Sequence, residues 1–109
     1  REFLYVDDLA RACEFIMNLD SNKYKSSISD MNQHINIGYG NDISIKELSE
    51  KVSKLTNFKG NIIFDEDMPE GTPQKLIDSN IINSMGWKPI FSLDDGLKKT
   101  YQDFINRFN

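Results

Sequence analysis

The stretch His34-Ile35-Asn36-Ile37-Gly38-Tyr39-Gly40-Asn41-Asp42-Ile43-Ser44-Ile45-Lys46-Glu47-Leu48 decides how the chain is read. It begins with a short β-rich run, 34–37. A glycine-bearing turn follows, and then Ser44-x-x-Glu47, the spacing of a capping box. Ile45, Leu48, Val52 and Leu55 recur at helical period, so a helix is expected over 45–56. Strand, glycine turn and helix in direct succession indicate an α/β fold. Gly38 and Gly40 admit two readings. They can supply positive φ at a strand end, or let the backbone approach a neighbouring domain or substrate closely. A third glycine at dinucleotide-fingerprint spacing does not follow.

Working outward, residues 2–6 read as extended, and either Asp7 or Asp8 can cap a helix. Leu9, Cys13, Ile16 and Met17 give that helix, over 8–19, its apolar stripe, with Cys13 as a buried core thiol. Residues 20–33 are polar and rich in Ser, Asn and Asp, the composition of a surface loop. On the other side, 57–60 is a turn and 61–65 a second strand centred on Ile62, Ile63 and Phe64. Residues 66–76, with Pro69, Gly71 and Pro73, are an irregular loop. Asp78 can cap a short helix carrying Ile81, Ile82 and Met85, which Gly86 ends. Ser92 and Asp95 start a last helix with Leu93, Leu97, Tyr101, Phe104, Ile105 and Phe108 on its apolar face. The expectation is one domain over 1–109, with a few short strands and about four helices. The helical faces are wider than these strands can cover, so part of the surface is expected to pack against something outside the chain.

The 109 residues are 39% apolar and 28% charged, with net charge −4, the composition of a globular protein. Lys and Arg are spread thinly, which argues against general nucleic-acid binding. No run approaches the roughly 20 apolar residues of a membrane span. The lone cysteine permits neither an intrachain disulfide nor a cysteine-rich zinc site, and fits a reducing cytoplasm. The chain opens on Arg1, not Met, as expected of a piece of a longer protein. None of Tyr5, Tyr24, Tyr39 and Tyr101 has Lys four positions on. His34, the one histidine, reads as structural. Asp65, Glu66, Asp67 and Glu70 lack the alternating spacing of a calcium loop and read as solvated.

Three segments carry a family resemblance. Arg1-Glu2-Phe3-Leu4-Tyr5-Val6-Asp7-Asp8 resembles the Arg-[Asp/Glu]-[Phe/Tyr]-x-[His/Tyr]-Val-x-Asp stretch of extended short-chain dehydrogenase/reductases acting on nucleotide sugars. The 34–48 stretch resembles the Asn-x-Gly-x-Gly strand end and following helix of that superfamily. Pro69-Glu70-Gly71-Thr72-Pro73-Gln74-Lys75-Leu76-Ile77-Asp78, followed by Gly86-Trp87-Lys88-Pro89, is similar to the GDP-L-fucose synthase family in particular.

The resemblance implies the C-terminal substrate-binding lobe of such an enzyme, with its Rossmann core absent. That family converts GDP-4-keto-6-deoxy-D-mannose to GDP-L-fucose by C3/C5 epimerisation and C4 reduction. NADPH and the Ser, Tyr, Lys, Cys and His groups of the chemistry then belong to the missing N-terminal domain, so no catalytic or cofactor-binding residue falls on this chain. The substrate-binding residues implied are Arg1 and Lys75, facing the diphosphate. Glu70, where the family has Asp, would contact the nucleotide. A guanidinium suits the first role because its planar donors pair with phosphate oxygens. Gln74 stands where Arg is common, and Tyr5 where His is common. The family also implies a GDP-sugar partner, a homodimer built through N-terminal helices, and a lobe inactive by itself. The competing readings are a UDP- or dTDP-sugar epimerase or dehydratase, against which the Gly-Thr-Pro-Gln-Lys loop argues, and a free-standing non-catalytic interaction module.

Overall fold

A computed structural model describes residues 1–65, 67–69 and 71–108. Five helices occur among them: α1 Val6–Met17, α2 Ser21–Ser27, α3 Ile45–Thr56, α4 Asn80–Ser84 and α5 Leu93–Phe108. The expected strands do not form among the described residues. Pairing is limited to two isolated antiparallel bridges, Glu2 with Asp42 and Ser29 with Asn32. The reason is physical: a strand is stable only beside another strand. Residues 34–37 and 61–65 have β-prone composition but no ladder partner within the chain, and Ile63 stays 86% exposed.

Side-chain chemistry sets the helix ends. Ser44 Oγ accepts from the Glu47 amide at 3.1 Å, and Glu47 Oε2 accepts from the Ser44 amide at 3.1 Å, so the capping box at α3 is complete. Ser92 Oγ accepts from the Asp95 amide at 3.1 Å at the head of α5. Gly86, at φ +106°, ends the short helix α4 as expected. Asp78 Oδ1 accepts from the Asn80 amide at 2.9 Å just before α4. The extra helix, α2, lies where a loop was expected. Its sequence Ser-Asn-Lys-Tyr-Lys-Ser-Ser has no apolar period. Asp20 holds it by accepting from the Asn22 and Lys23 amides at 2.9 and 3.2 Å. Lys23 Nζ also donates to the Met85 carbonyl at 3.2 Å, tying α2 to the end of α4.

α1 starts two residues earlier than expected, after Tyr5, and neither Asp7 nor Asp8 caps it. The face it buries is also different. Asp8 and Ala12 are fully buried, and Phe15 and Ile16 pack against the core. Leu9, Cys13 and Met17 face outward, and Met17 is 84% exposed. Cys13 is therefore an exposed thiol, not the core thiol expected. One residue is about 100° of helix, and burying Asp8 turns the stripe by that step. Asp8 is drawn inward because its carboxylate accepts from the Ile90 amide at 3.0 Å and the Phe91 amide at 2.9 Å. Arg11 Nη1 completes the arrangement at 2.8 Å.

The core is small. Ala12, Ile82 and Trp87 form it, with Leu4, Phe15, Ile16, Ile35 and Ile37 against them. α3 packs on α5, and Lys51 Nζ pairs with Asp94 Oδ1 between them at 2.7 Å. The Cα radius of gyration is 17.5 Å, against about 13 Å for a compact domain of this length. The body measures 54 × 36 × 19 Å, so it is about two helix diameters thick. Apolar side chains such as Ile45, Phe58, Ile90, Phe104 and Phe108 remain exposed on it. That is the uncovered surface the wide helical faces foretold. No helix among the described residues is long and apolar enough to cross a membrane.

Candidate functional site

The first two residues stitch together the two loops singled out in the sequence. The Arg1 backbone nitrogen donates to the Ile43 carbonyl at 2.6 Å, and the Ile43 amide donates back to the Arg1 carbonyl at 2.9 Å. This small antiparallel pairing aims the Arg1 side chain at the 71–77 loop, where Nη1 donates to the Thr72 carbonyl at 2.5 Å. Gly71 lies directly against it: a Cβ there would stand 2.9 Å from Arg1 Nη2, so the guanidinium would have to shift. A guanidinium carries five N–H donors, so one bond to Thr72 leaves others for an anion.

Lys75 lies three residues beyond Thr72 on the same loop. It is exposed and makes no hydrogen bond or ion pair among the described residues. Gln74 Nε2 donates to Asp42 Oδ2 at 2.7 Å and fastens the loop beside the glycine turn. Arg1 and the loop bearing Lys75 are thus brought together, although they lie more than 70 residues apart in sequence. Glu70 lies outside the described residues, as does Glu66 of the acidic cluster.

Glu2 had no role assigned from sequence, and it proves central to the geometry. Its Oε1 accepts from the Gly40 amide at 2.7 Å, and its Oε2 from the Ile77 amide at 2.9 Å. The signal that could have found it is its place directly after Arg1, at a position where the motif calls for an acid. The two readings of the glycine pair divide between the glycines. Gly40 takes positive φ, +89°. Gly38 serves a close approach, but to this chain's own side chains: a Cβ there would lie 2.5 Å from Glu2 Oε1 and 2.9 Å from Ser79 Oγ.

Tyr5, at the position where His is common, is packed and does not point to chemistry. Its ring meets Phe91 edge-on at 4.9 Å. A Cβ on the buried Gly96 would come within 3.3 Å of it. Desolvation, then the nearby Asp7 charge, pushes the Tyr5 hydroxyl above its usual pKa, so it stays protonated. His34 is exposed.

The chain is 41% identical over 105 residues to the GDP-L-fucose synthase of Escherichia coli strain K12, covering 96% of this chain and 33% of that protein. Its fold superposes on a GDP-6-OMe-4-keto-L-xylo-heptose reductase from C. jejuni with a TM-score of 0.85. The identity is 38%, over 98% of this chain and 31% of that one. The chain belongs to the GDP-L-fucose synthase family of extended short-chain dehydrogenase/reductases. A GDP-mannoheptose C4 reductase from Campylobacter jejuni with NADP bound gives a TM-score of 0.80 at 38% identity, over 96% of this chain and 31% of that one. No protein-family model matches the chain. It spans about a third of the length of each of these three proteins. It is the C-terminal lobe of their α/β fold, which is why its β-prone segments find no partner within it.

Proposed function

We propose that this lobe grips the GDP-sugar in an oxidoreductase that converts GDP-4-keto-6-deoxy-D-mannose to GDP-L-fucose. The reaction would epimerise C3 and C5 and reduce C4 with NADPH, in a cytoplasmic homodimer. The observation that carries this is the docking of Arg1 on the loop that bears Lys75, in a chain 41% identical to a GDP-L-fucose synthase. A guanidinium and an ammonium carried on adjoining segments would suit a diphosphate, the first through paired donors and the second as a point charge. Glu70 would accept from the nucleotide. Fixing the sugar relative to the reductant is an orientational contribution, and orientation can be worth several powers of ten in rate.

The residues present do not fit a dinucleotide. Glu2 occupies the Gly40 amide and the space beside Gly38, and Ser44 caps α3 where a pyrophosphate would sit. NADPH would therefore be held by the rest of the longer protein, and this chain alone would not oxidise it.

The test uses the full-length protein. Arg1→Ala and Lys75→Ala should each weaken GDP binding about tenfold or more by calorimetry, with NADPH affinity unchanged. Equal loss of both ligands would make these residues structural and end the proposal.

A second reading, plain reduction of a seven-carbon GDP-sugar without epimerisation, is favoured by two of the similar solved structures, which are GDP-heptose reductases. Turnover of GDP-4-keto-6-deoxy-D-mannose in deuterated water decides between them. Deuterium at C3 and C5 of the product marks epimerisation, and its absence favours the plain reductase.

A further inference from the structure

We propose that Glu2 is a positioning residue for sugar-nucleotide binding: one carboxylate sets Arg1 and the Lys75 loop in a common register. The proposal rests on the reading of Arg1 and Lys75 given above, and deepens it.

The two oxygens serve different loops. Oε1 takes the amide of Gly40 at 2.7 Å, and Oε2 the amide of Ile77 at 2.9 Å. Both partners are donors, so the site needs an acceptor on each side, which an ionised carboxylate supplies and a carboxamide does not. Bonds of this kind are charge-assisted and stronger than neutral ones. Ile77 lies two residues after Lys75, while Thr72 and Gln74 are tied down before it, by Arg1 and Asp42. Lys75 is thereby held between fixed points on both sides although its own side chain is free in solvent. Arg1 is the covalent neighbour of Glu2, so the same clamp fixes the backbone from which the guanidinium springs.

Two further features fit a built device. Gly38 leaves open the space that the carboxylate enters, where a Cβ would collide with Oε1. Ser79 Oγ crowds the same point, is buried, and has no hydrogen-bond partner among the described residues. Glu2 itself lies outside the core formed by Ala12, Ile82 and Trp87. Its loss should therefore disturb the two loops more than the fold.

The experiment titrates GDP, then NADPH, into the full-length protein and its Glu2→Gln, Arg1→Ala and doubly substituted forms. Glu2→Gln should weaken GDP binding about tenfold, leave NADPH affinity unchanged, and cost clearly less than that in the Arg1→Ala background, where only its share through the Lys75 loop remains. Should Glu2→Gln lose NADPH binding through misfolding, Glu2→Asp takes its place. That variant keeps the charge but is one methylene short of spanning both amides. Full additivity with Arg1→Ala, or GDP binding equal to wild type, overturns the positioning role alone. Failure of the unaltered protein to bind GDP overturns the functional reading, and this proposal with it.

Discussion

Replacing Asp8 with alanine should loosen the lobe far more than an average single substitution. The side chain is fully buried and serves three donors: the amides of Ile90 and Phe91 and the guanidinium of Arg11. Arg11 is 41% exposed, so it rehydrates when its partner goes, and the ion pair adds little to the loss. The two amides are different. Each one left without an acceptor costs about 1–3 kcal/mol. Ile90 is 66% exposed, so water reaches its end of the segment and the lower figure applies there. The sum is about 3 kcal/mol, which is about two powers of ten in the opening equilibrium. Asp8→Asn keeps one acceptor and should lose about half as much. Hydrogen exchange of the full-length protein measures this directly. The informative amides are those of α1 and of Trp87, which Asp8 does not itself bond. Acceleration of these by less than about threefold in Asp8→Ala would refute the claim that one carboxylate holds α1 to the 88–92 segment.

Three other outcomes follow from the geometry. Ser44→Ala removes the acceptor of the α3 capping box and should lower stability by about 1 kcal/mol, measured by urea unfolding. The Ser44 hydroxyl, then its amide, holds the Glu47 carboxyl below its usual pKa. Its contribution is therefore complete above the unfolded value of about 4.3 and is lost as pH falls through the lower folded value. Acid melting curves of wild type and Glu47→Gln should converge below that range. Gly86→Ala forces a side chain to φ +106° and should lower the melting temperature by the equivalent of about 1–3 kcal/mol.

The parts of the fold legible in the sequence are those governed by neighbours in the chain. The α3 capping box, the Ser92–Asp95 start of α5 and the Gly86 stop each depend on residues within a few positions, and each stands where it was read. The strands at 34–37 and 61–65 were misread because a strand depends on a partner, and none is supplied within these residues. α2 escaped notice because a cap and a lysine tether hold it, with no apolar stripe to betray it. The rotation of α1 was hidden for a related reason. Its inward face is chosen by Asp8, a charged residue whose backbone partners lie more than 80 positions away, so apolar periodicity pointed to the wrong side and to Cys13. In the site, Arg1 and the Lys75 loop were legible as motifs. Glu2 stands in the same motif, but what it holds is visible only once Gly40 and Ile77 stand on either side of it.

The bond from Asp8 to Phe91 spans 83 residues, and that span has a consequence for biosynthesis. A ribosome adds about 5–20 residues per second. Once Asp8 has been added, about 4–17 s pass before Phe91 is even polymerised. Throughout that interval the head of the lobe can pair with residues 40–43 but lacks the Asp8 anchor, and the Arg1 and Glu2 contacts with residues 72 and 77 wait almost as long. The segment that holds the 71–77 loop is thus made well before its last partners, which leaves it open in the meantime to capture by a chaperone or a protease on the nascent chain.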